Sequence, residues 1–196
     1  MEGLIEIKNL ADIDHDITTE VAIVFVDSYY SDLRSISNDK EKLVRIFKDS
    51  FIPEAIFVAL MDGHVAGMLG CSNNQMRAVH IERTTLVKHL GFIRGNIFAP
   101  FLEKNFNIPL SYEDDIAYIE SVATLSEVRR KGVSTKLVEH VLKKLPYREY
   151  RLTVKDNNKN ALSIYEKHGF KEIGRIKANF IEKRYFNHKL YMKYEK

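Results

Sequence analysis

The chain has 196 residues, 45% of them hydrophobic, enough to bury a core of its own as a single domain over residues 1–196. Its 30 basic side chains are nearly matched by 27 acidic ones, so the formal net charge of +3 creates no broad field that would argue for a nucleic-acid partner. A lone cysteine, Cys71, excludes an internal disulfide, and the apolar run at residues 21–26 is far too short to cross a bilayer, so a soluble cytoplasmic protein with no membrane partner is expected.

Residues 4–7 read as a short first strand. Thr18 and Thr19 are expected to cap a helix running from Glu20 to about Tyr30. The β-branched Val21, Ile23, Val24 and Val26 favour a strand on their own, but the acidic first turn and the one-sided spacing of Val21, Val24, Phe25 and Ser28 favour the helix. Asn38 or Asp39 starts a second helix, with Leu43, Val44, Ile46 and Phe47 on its apolar face. Apolar runs at residues 55–60 and 65–72 flank Asp62-Gly63, a hairpin signal. Residues 73–115 then form a helical insertion in which Leu86, Leu90, Ile93, Ile97, Phe101 and Phe106 recur at helical intervals. Gly91, Gly95 and Pro100 are breaks, so one kinked helix or two short ones are expected. Such a stripe packs a core, pairs two copies as a homodimer, or lids a pocket. Glu113, Asp114 and Asp115 close the insertion, either as an attractor for a cationic ligand or as a solvated loop.

The strand that follows, residues 116–125, is expected to place Tyr118, Glu120, Val122 and Thr124 on one face and Ile119, Ser121, Ala123 and Leu125 on the other. Glu120 is the one ionisable residue in that apolar run, which makes it a candidate general base, the alternative being a half-exposed surface glutamate. Arg129, Arg130, Lys131 and Gly132 then lead into a helix with Val133, Leu137, Val138, Val141, Leu142 and Leu145 on its apolar face and Ser134 and Thr135 in its first turn. Unpaired amides at a helix N-terminus, the positive end of its dipole, flanking cations and a glycine that admits close approach together make a phosphate site.

Arg129-x-x-Gly132-x-Ser134 resembles the Arg/Gln-x-x-Gly-x-Gly/Ala signature of the GNAT acetyltransferase superfamily, with Ser134 departing from the usual small residue. Downstream, the stretch from Thr153 through Asn158, Ala161 and Tyr165 to Gly169-Phe170 is similar to that family's strand, Asn-x-x-Ala-x-x-x-Tyr helix and Gly-Phe exit, in the same order and spacing. The resemblance covers residues 116–170 well and the remainder by its pattern of elements. It implies one α/β domain with a mixed, mostly antiparallel sheet flanked by helices. It also implies an acetyl-CoA-dependent N-acetyltransferase in which a primary amine, of a small molecule or a peptide, attacks directly in a ternary complex. In that family the basic turn, here Arg129, Arg130, Lys131, Gly132, Val133, Ser134 and Thr135, holds the acetyl-CoA diphosphate. The backbone amides of Val122, Ala123 and Thr124 would polarise the thioester carbonyl if the strand splays, with Ser121 and Ala123 leaving room for the pantetheine arm. Tyr165 matches the general acid that protonates the departing thiolate. Asn158 matches a cofactor contact and also suits the cap of its helix.

Other classes fit less well. Gly132-Val133-Ser134-Thr135-Lys136 lacks the order of a phosphate-binding P-loop, no dinucleotide fingerprint is present, and the basic residues 129–144 carry no interleaved aromatics for nucleic acid. His15, His64, His80, His89, His140, His168 and His188 show no close ligand spacing, so no metal is expected, and Cys71 reads as a buried inert thiol. The serious rival is a non-catalytic acetyl-CoA-binding sensor of the same fold.

Overall fold

The protein is described by a computed structural model covering residues 4–180 and 182–196. In chain order the elements are β1 (Ile5–Asn9), α1 (Thr18–Leu33), α2 (Lys40–Lys48), β2 (Ile56–Met61), β3 (His64–Ser72), α3 (Arg83–Leu90), α4 (Phe92–Phe106), β4 (Ile116–Thr124), α5 (Val133–Lys144), β5 (Glu149–Lys155), α6 (Lys159–Lys167), β6 (Lys171–Lys177) and β7 (His188–Glu195). The strands form one sheet in the order β1-β2-β3-β4-β5-β7-β6. Among the described residues only β4 and β5 run parallel, α5 being the crossover between them. Among the described residues no helix is long and apolar enough to cross a membrane.

Local chemistry accounts for most boundaries. Asp62 and Gly63 both take left-handed backbone angles, φ 52° and 81°, as a two-residue hairpin turn requires. Asp39 caps α2 by accepting from the Lys42 amide at 3.1 Å. At α1 the N-cap position is Ile17, and Asp16 before it accepts from the Thr18 amide at 2.9 Å and the Thr18 hydroxyl at 2.7 Å, so the threonines expected to cap this helix lie inside its first turn. The helix runs on past Tyr30 to Leu33, which is buried.

Two apolar layers cover the sheet. One packs α1, α2 and the insertion against β2 and β3, and the other packs α5 and α6 against β4, β5 and β7. The insertion becomes two helices broken at Gly91 (φ 82°), and its expected stripe divides between them. Leu86 is fully buried and Leu90 and Phe106 pack on the core, whereas Ile93, Ile97 and Phe101 face solvent at 73%, 66% and 62% exposure. The small residues decide this. A Cβ on Gly95 would lie 2.6 Å from the Val87 Cα, so α4 crosses α3 through its Gly95, Ala99, Leu102 face, and the bulkier stripe is left outside.

The alternation expected for β4 is interrupted. Ser121 pairs with Gly70 and Ile119 with Cys71, which leaves Glu120 as an extra residue in a β-bulge. Beyond the bulge the faces exchange. Ala117 and Ile119 join the layer under α5, but Ala123 joins the layer under α1, while Val122 packs on the α5 side with Val133 and Leu137. Tyr118 and Val122 therefore do not share a face, contrary to the simple period of two. Pairing with β5 stops at Ile119↔Leu152, and the last residues of β4 diverge to open a cleft.

Candidate functional site

The cleft exposes one edge of β4, and its backbone groups have found partners on α1. The Val122 amide donates to the Tyr29 hydroxyl at 3.0 Å, and that hydroxyl donates back to the Val122 carbonyl at 3.2 Å. Ser28 treats Thr124 in the same way, with both contacts at 3.2 Å. Two side-chain hydroxyls thus stand where a neighbouring strand would pair. Ser121 and Ala123, expected to leave room in the cleft, are instead buried on the α1 side, Ser121 against the Met68 sulfur.

Three tyrosines meet here. Tyr165 comes from α6, its ring packed on Phe170 at 5.7 Å between centroids, and burial raises its hydroxyl well above the usual range, with the neighbouring Tyr29 and Tyr118 adding to the shift. Burial likewise pushes Tyr29 up to about 12 and raises Tyr118, whose hydroxyl is 3.0 Å from Thr153 Oγ1. All three keep their protons at neutral pH and so offer O–H donors. Among the described residues none accepts a hydrogen bond from the Tyr165 hydroxyl.

Glu120 is not a surface glutamate. Its side chain is 7% exposed and is ion-paired to Arg77, which is 10% exposed. Ser72 donates to the same carboxylate, and so does the Ala78 amide at 3.3 Å. Arg77 also donates to the carbonyls of Ile108 and Asn105 at 2.6 and 2.8 Å, and so holds the end of α4. The carboxylate expected to serve as a base is thus a buried member of a structural cluster.

The basic turn makes a cradle of unpaired amides at the start of α5. Arg130 (φ 67°) and Gly132 (φ 79°, ψ 4°) are left-handed, and Gly132 begins α5 without any side-chain cap. The first amide to bond within α5 is that of Lys136, to the Gly132 carbonyl, leaving those of Val133, Ser134 and Thr135 directed outward. Arg129, Arg130 and Lys131 are exposed around them. The Ser134 hydroxyl lies 2.7 Å from Thr124 Oγ1, so it ties the helix start to the end of β4. Gly67 on β3 permits the docking, since a Cβ there would lie 2.5 Å from Val133 Cγ1. Asn158 caps α6 by accepting from the Ala161 amide at 3.2 Å. Cys71 is buried, and its thiol is pushed up to about 12 by that burial.

The structure therefore brings together the basic turn, the edge of β4 that has left β5 and Tyr165, and sets Glu120 apart in its cluster with Arg77. Ser28 and Tyr29 were not identified as site residues from the sequence, because nothing local marks a helix hydroxyl that reaches a strand about 95 residues away.

A family model described as "Acetyltransferase (GNAT) family" matches residues 23–170. No curated protein matches. Among solved structures, a GNAT-family acetyltransferase from Bacillus cereus is 11% identical with a TM-score of 0.60, each chain being covered to 99%. An N-acetyltransferase from Staphylococcus aureus is 19% identical with a TM-score of 0.58, over 96% of this chain and 100% of that one. A chain of the NatC complex, solved with a Gag peptide and CoA, is 16% identical with a TM-score of 0.55, over 98% of each. At these identities the likeness is one of fold.

Proposed function

Because the chain belongs to the GNAT acetyltransferase family, we propose that residues 1–196 act as one domain that binds acetyl-CoA and passes its acetyl group to a primary amine by direct attack. The observation that carries this reading is the uncapped start of α5, ringed by Arg129, Arg130 and Lys131 and tied through Ser134 to Thr124 at the end of β4 that has left β5. The cradle fits a diphosphate, since outward amides and three cations are the donors such a group needs. Acetyl-CoA would supply the activated acetyl group. This chain's residues supply binding by the turn, backbone donors from Val122 and Thr124 once Tyr29 and Ser28 yield them, and a proton from Tyr165 to the departing sulfur. With Glu120 engaged by Arg77, the amine enters in its neutral form. The carboxylate serves to hold the bulge.

Calorimetry with acetyl-CoA tests the cradle. Arg129→Ala together with Arg130→Ala is expected to weaken binding roughly ten- to a hundredfold, the size of charge-assisted contacts after allowance for solvent, without changing the melting temperature. Equal affinities would remove the turn from the site. Thiol release with an amine panel then separates an enzyme from a sensor, which binds the cofactor but releases none above background.

The α1 hydroxyls allow a second test. If the cofactor's amides take the places of Tyr29 and Ser28 on β4, Tyr29→Phe and Ser28→Ala remove a competitor, and acetyl-CoA affinity should rise roughly two- to tenfold for each, the net worth of one hydrogen bond. A fall in affinity would mean that the hydroxyls contact the cofactor themselves.

A further inference from the structure

On the face of β5, β7 and β6 opposite α5 and α6 lies a groove of about 350 Å³, with Tyr112, Tyr118, Tyr191, Arg151, Gly174 and Ile176 among its walls. It shares one wall with the cleft. Tyr118 borders the groove, and its pairing with Arg151 is next to the last pair, Ile119↔Leu152, before β4 leaves β5. The Tyr112 ring, contributed by the insertion, lies 6.2 Å from that of Tyr118, and the Arg151 guanidinium sits 4.8 Å from the Tyr112 ring centre. Gly174 faces Tyr191 across the β6 bulge, and a Cβ there would meet nothing within 4 Å, so this position keeps the groove open.

The charges around the groove are informative. Its lining contains two arginines and no acid. Arg151 is hydrogen-bonded to Glu149, which also has Lys193 at 3.8 Å, and Arg175 is held by Glu172 at 2.7 and 2.8 Å, and among the described residues lining the groove no carboxylate is present to receive a second cation. The acids that close the insertion are used elsewhere. Asp115 binds Arg148 at 2.6 Å, Glu113 lies 3.9 Å from Arg148, and Asp114 accepts from Asn74 at 2.6 Å, all at the end of β4 remote from the cleft. None of these three acids lines the groove.

We infer that this groove is the acceptor subsite and that the acceptor is a small monoamine with an apolar or aromatic body, lying against the tyrosine rings with its amine toward Tyr118. A polyamine or aminoglycoside would bring further ammonium groups beside Arg151 with no acid to meet them. The inference rests on the acetyl-transfer reading above and names the substrate class for it.

The test uses 2-phenylethylamine and spermidine with the full chain and its Gly174→Leu variant, whose side chain projects into open space and fills the groove. Binding is read first, by saturation-transfer NMR in the presence of CoA, and turnover second, by thiol release. Binding of 2-phenylethylamine but not of spermidine is expected, and Gly174→Leu should weaken it by about tenfold or more, the scale of a hydrophobic-pocket mismatch, with acetyl-CoA affinity and melting temperature unchanged. Preference for spermidine, or equal amine binding by the variant, overturns the groove assignment. Groove binding that depends on Gly174 without thiol release from any amine would support the subsite and overturn the acetyl-transfer reading alone.

Discussion

Arg77→Ala is expected to lower the melting temperature by roughly 6–20 °C, because removing one member of a buried ion pair costs about 3–5 kcal/mol and each kcal/mol moves a domain of this size by about 2–4 °C. The pair is nearly inaccessible, and Arg77 binds Glu120 on β4 together with the Asn105 and Ile108 carbonyls at the end of α4. Losing the guanidinium leaves a buried carboxylate that only Ser72 and the Ala78 amide can satisfy. Differential scanning calorimetry measures the loss, and a change below about 1 kcal/mol would show that the pair does not hold the insertion to β4. Glu120→Gln separates stability from chemistry. A structural Glu120 predicts a lowered melting temperature with kcat within a few-fold, whereas a base predicts a large fall in kcat at an unchanged melting temperature.

Tyr165→Phe is expected to cut kcat by roughly a hundredfold or more while leaving acetyl-CoA affinity and stability close to the parent, since the ring keeps its contact with Phe170 and only the proton donor is lost. The raised hydroxyl sets the sign of the pH dependence. Burial favours the neutral form, so Tyr165 stays a donor above the ordinary tyrosine value of 10.0, and the parent should show no alkaline loss of rate from this group below that pH. Stopped-flow and steady-state rates across pH 6–10 provide the check, expressed relative to about pH 7. A phenylalanine variant as fast as the parent would reduce Tyr165 to a packing residue.

The insertion is altered in meaning by its packing. Cutting it to a short turn would remove Leu86, Ala99 and Leu102 from the core, so that deletion reports on folding before it reports on specificity. Its contribution near the cleft is Tyr112, together with the carbonyls that grip Arg77.

Features whose causes lie within a few residues were legible in the sequence. Asp62-Gly63 demands a tight turn through its left-handed angles, Asp39 and Asn158 cap their own helices, and the run from Arg129 to Thr135 places cations and a glycine at a helix start whatever surrounds it. The Asn158 to Phe170 stretch has Tyr165 and Phe170 in contact because helix geometry and the Gly169 exit bring them there. The mixed sheet was implied by the family resemblance that residues 116–170 carry. These are short-range properties of the backbone.

Features that needed partners far along the chain were decided only by the tertiary structure. The bulge at Glu120 is a property of β4 paired with β3, and it moved Val122 and Ala123 to faces that a strict period of two does not assign. Glu120 is an isolated acid in sequence and a paired one in space because Arg77 returns from 43 residues away. The solvent-facing Ile93, Ile97 and Phe101 follow from how closely Gly95 and Ala99 let α4 approach its neighbours. Ser28 and Tyr29 became site residues because β4 leaves β5 beyond Ile119 and buried backbone groups must find donors and acceptors wherever the fold supplies them.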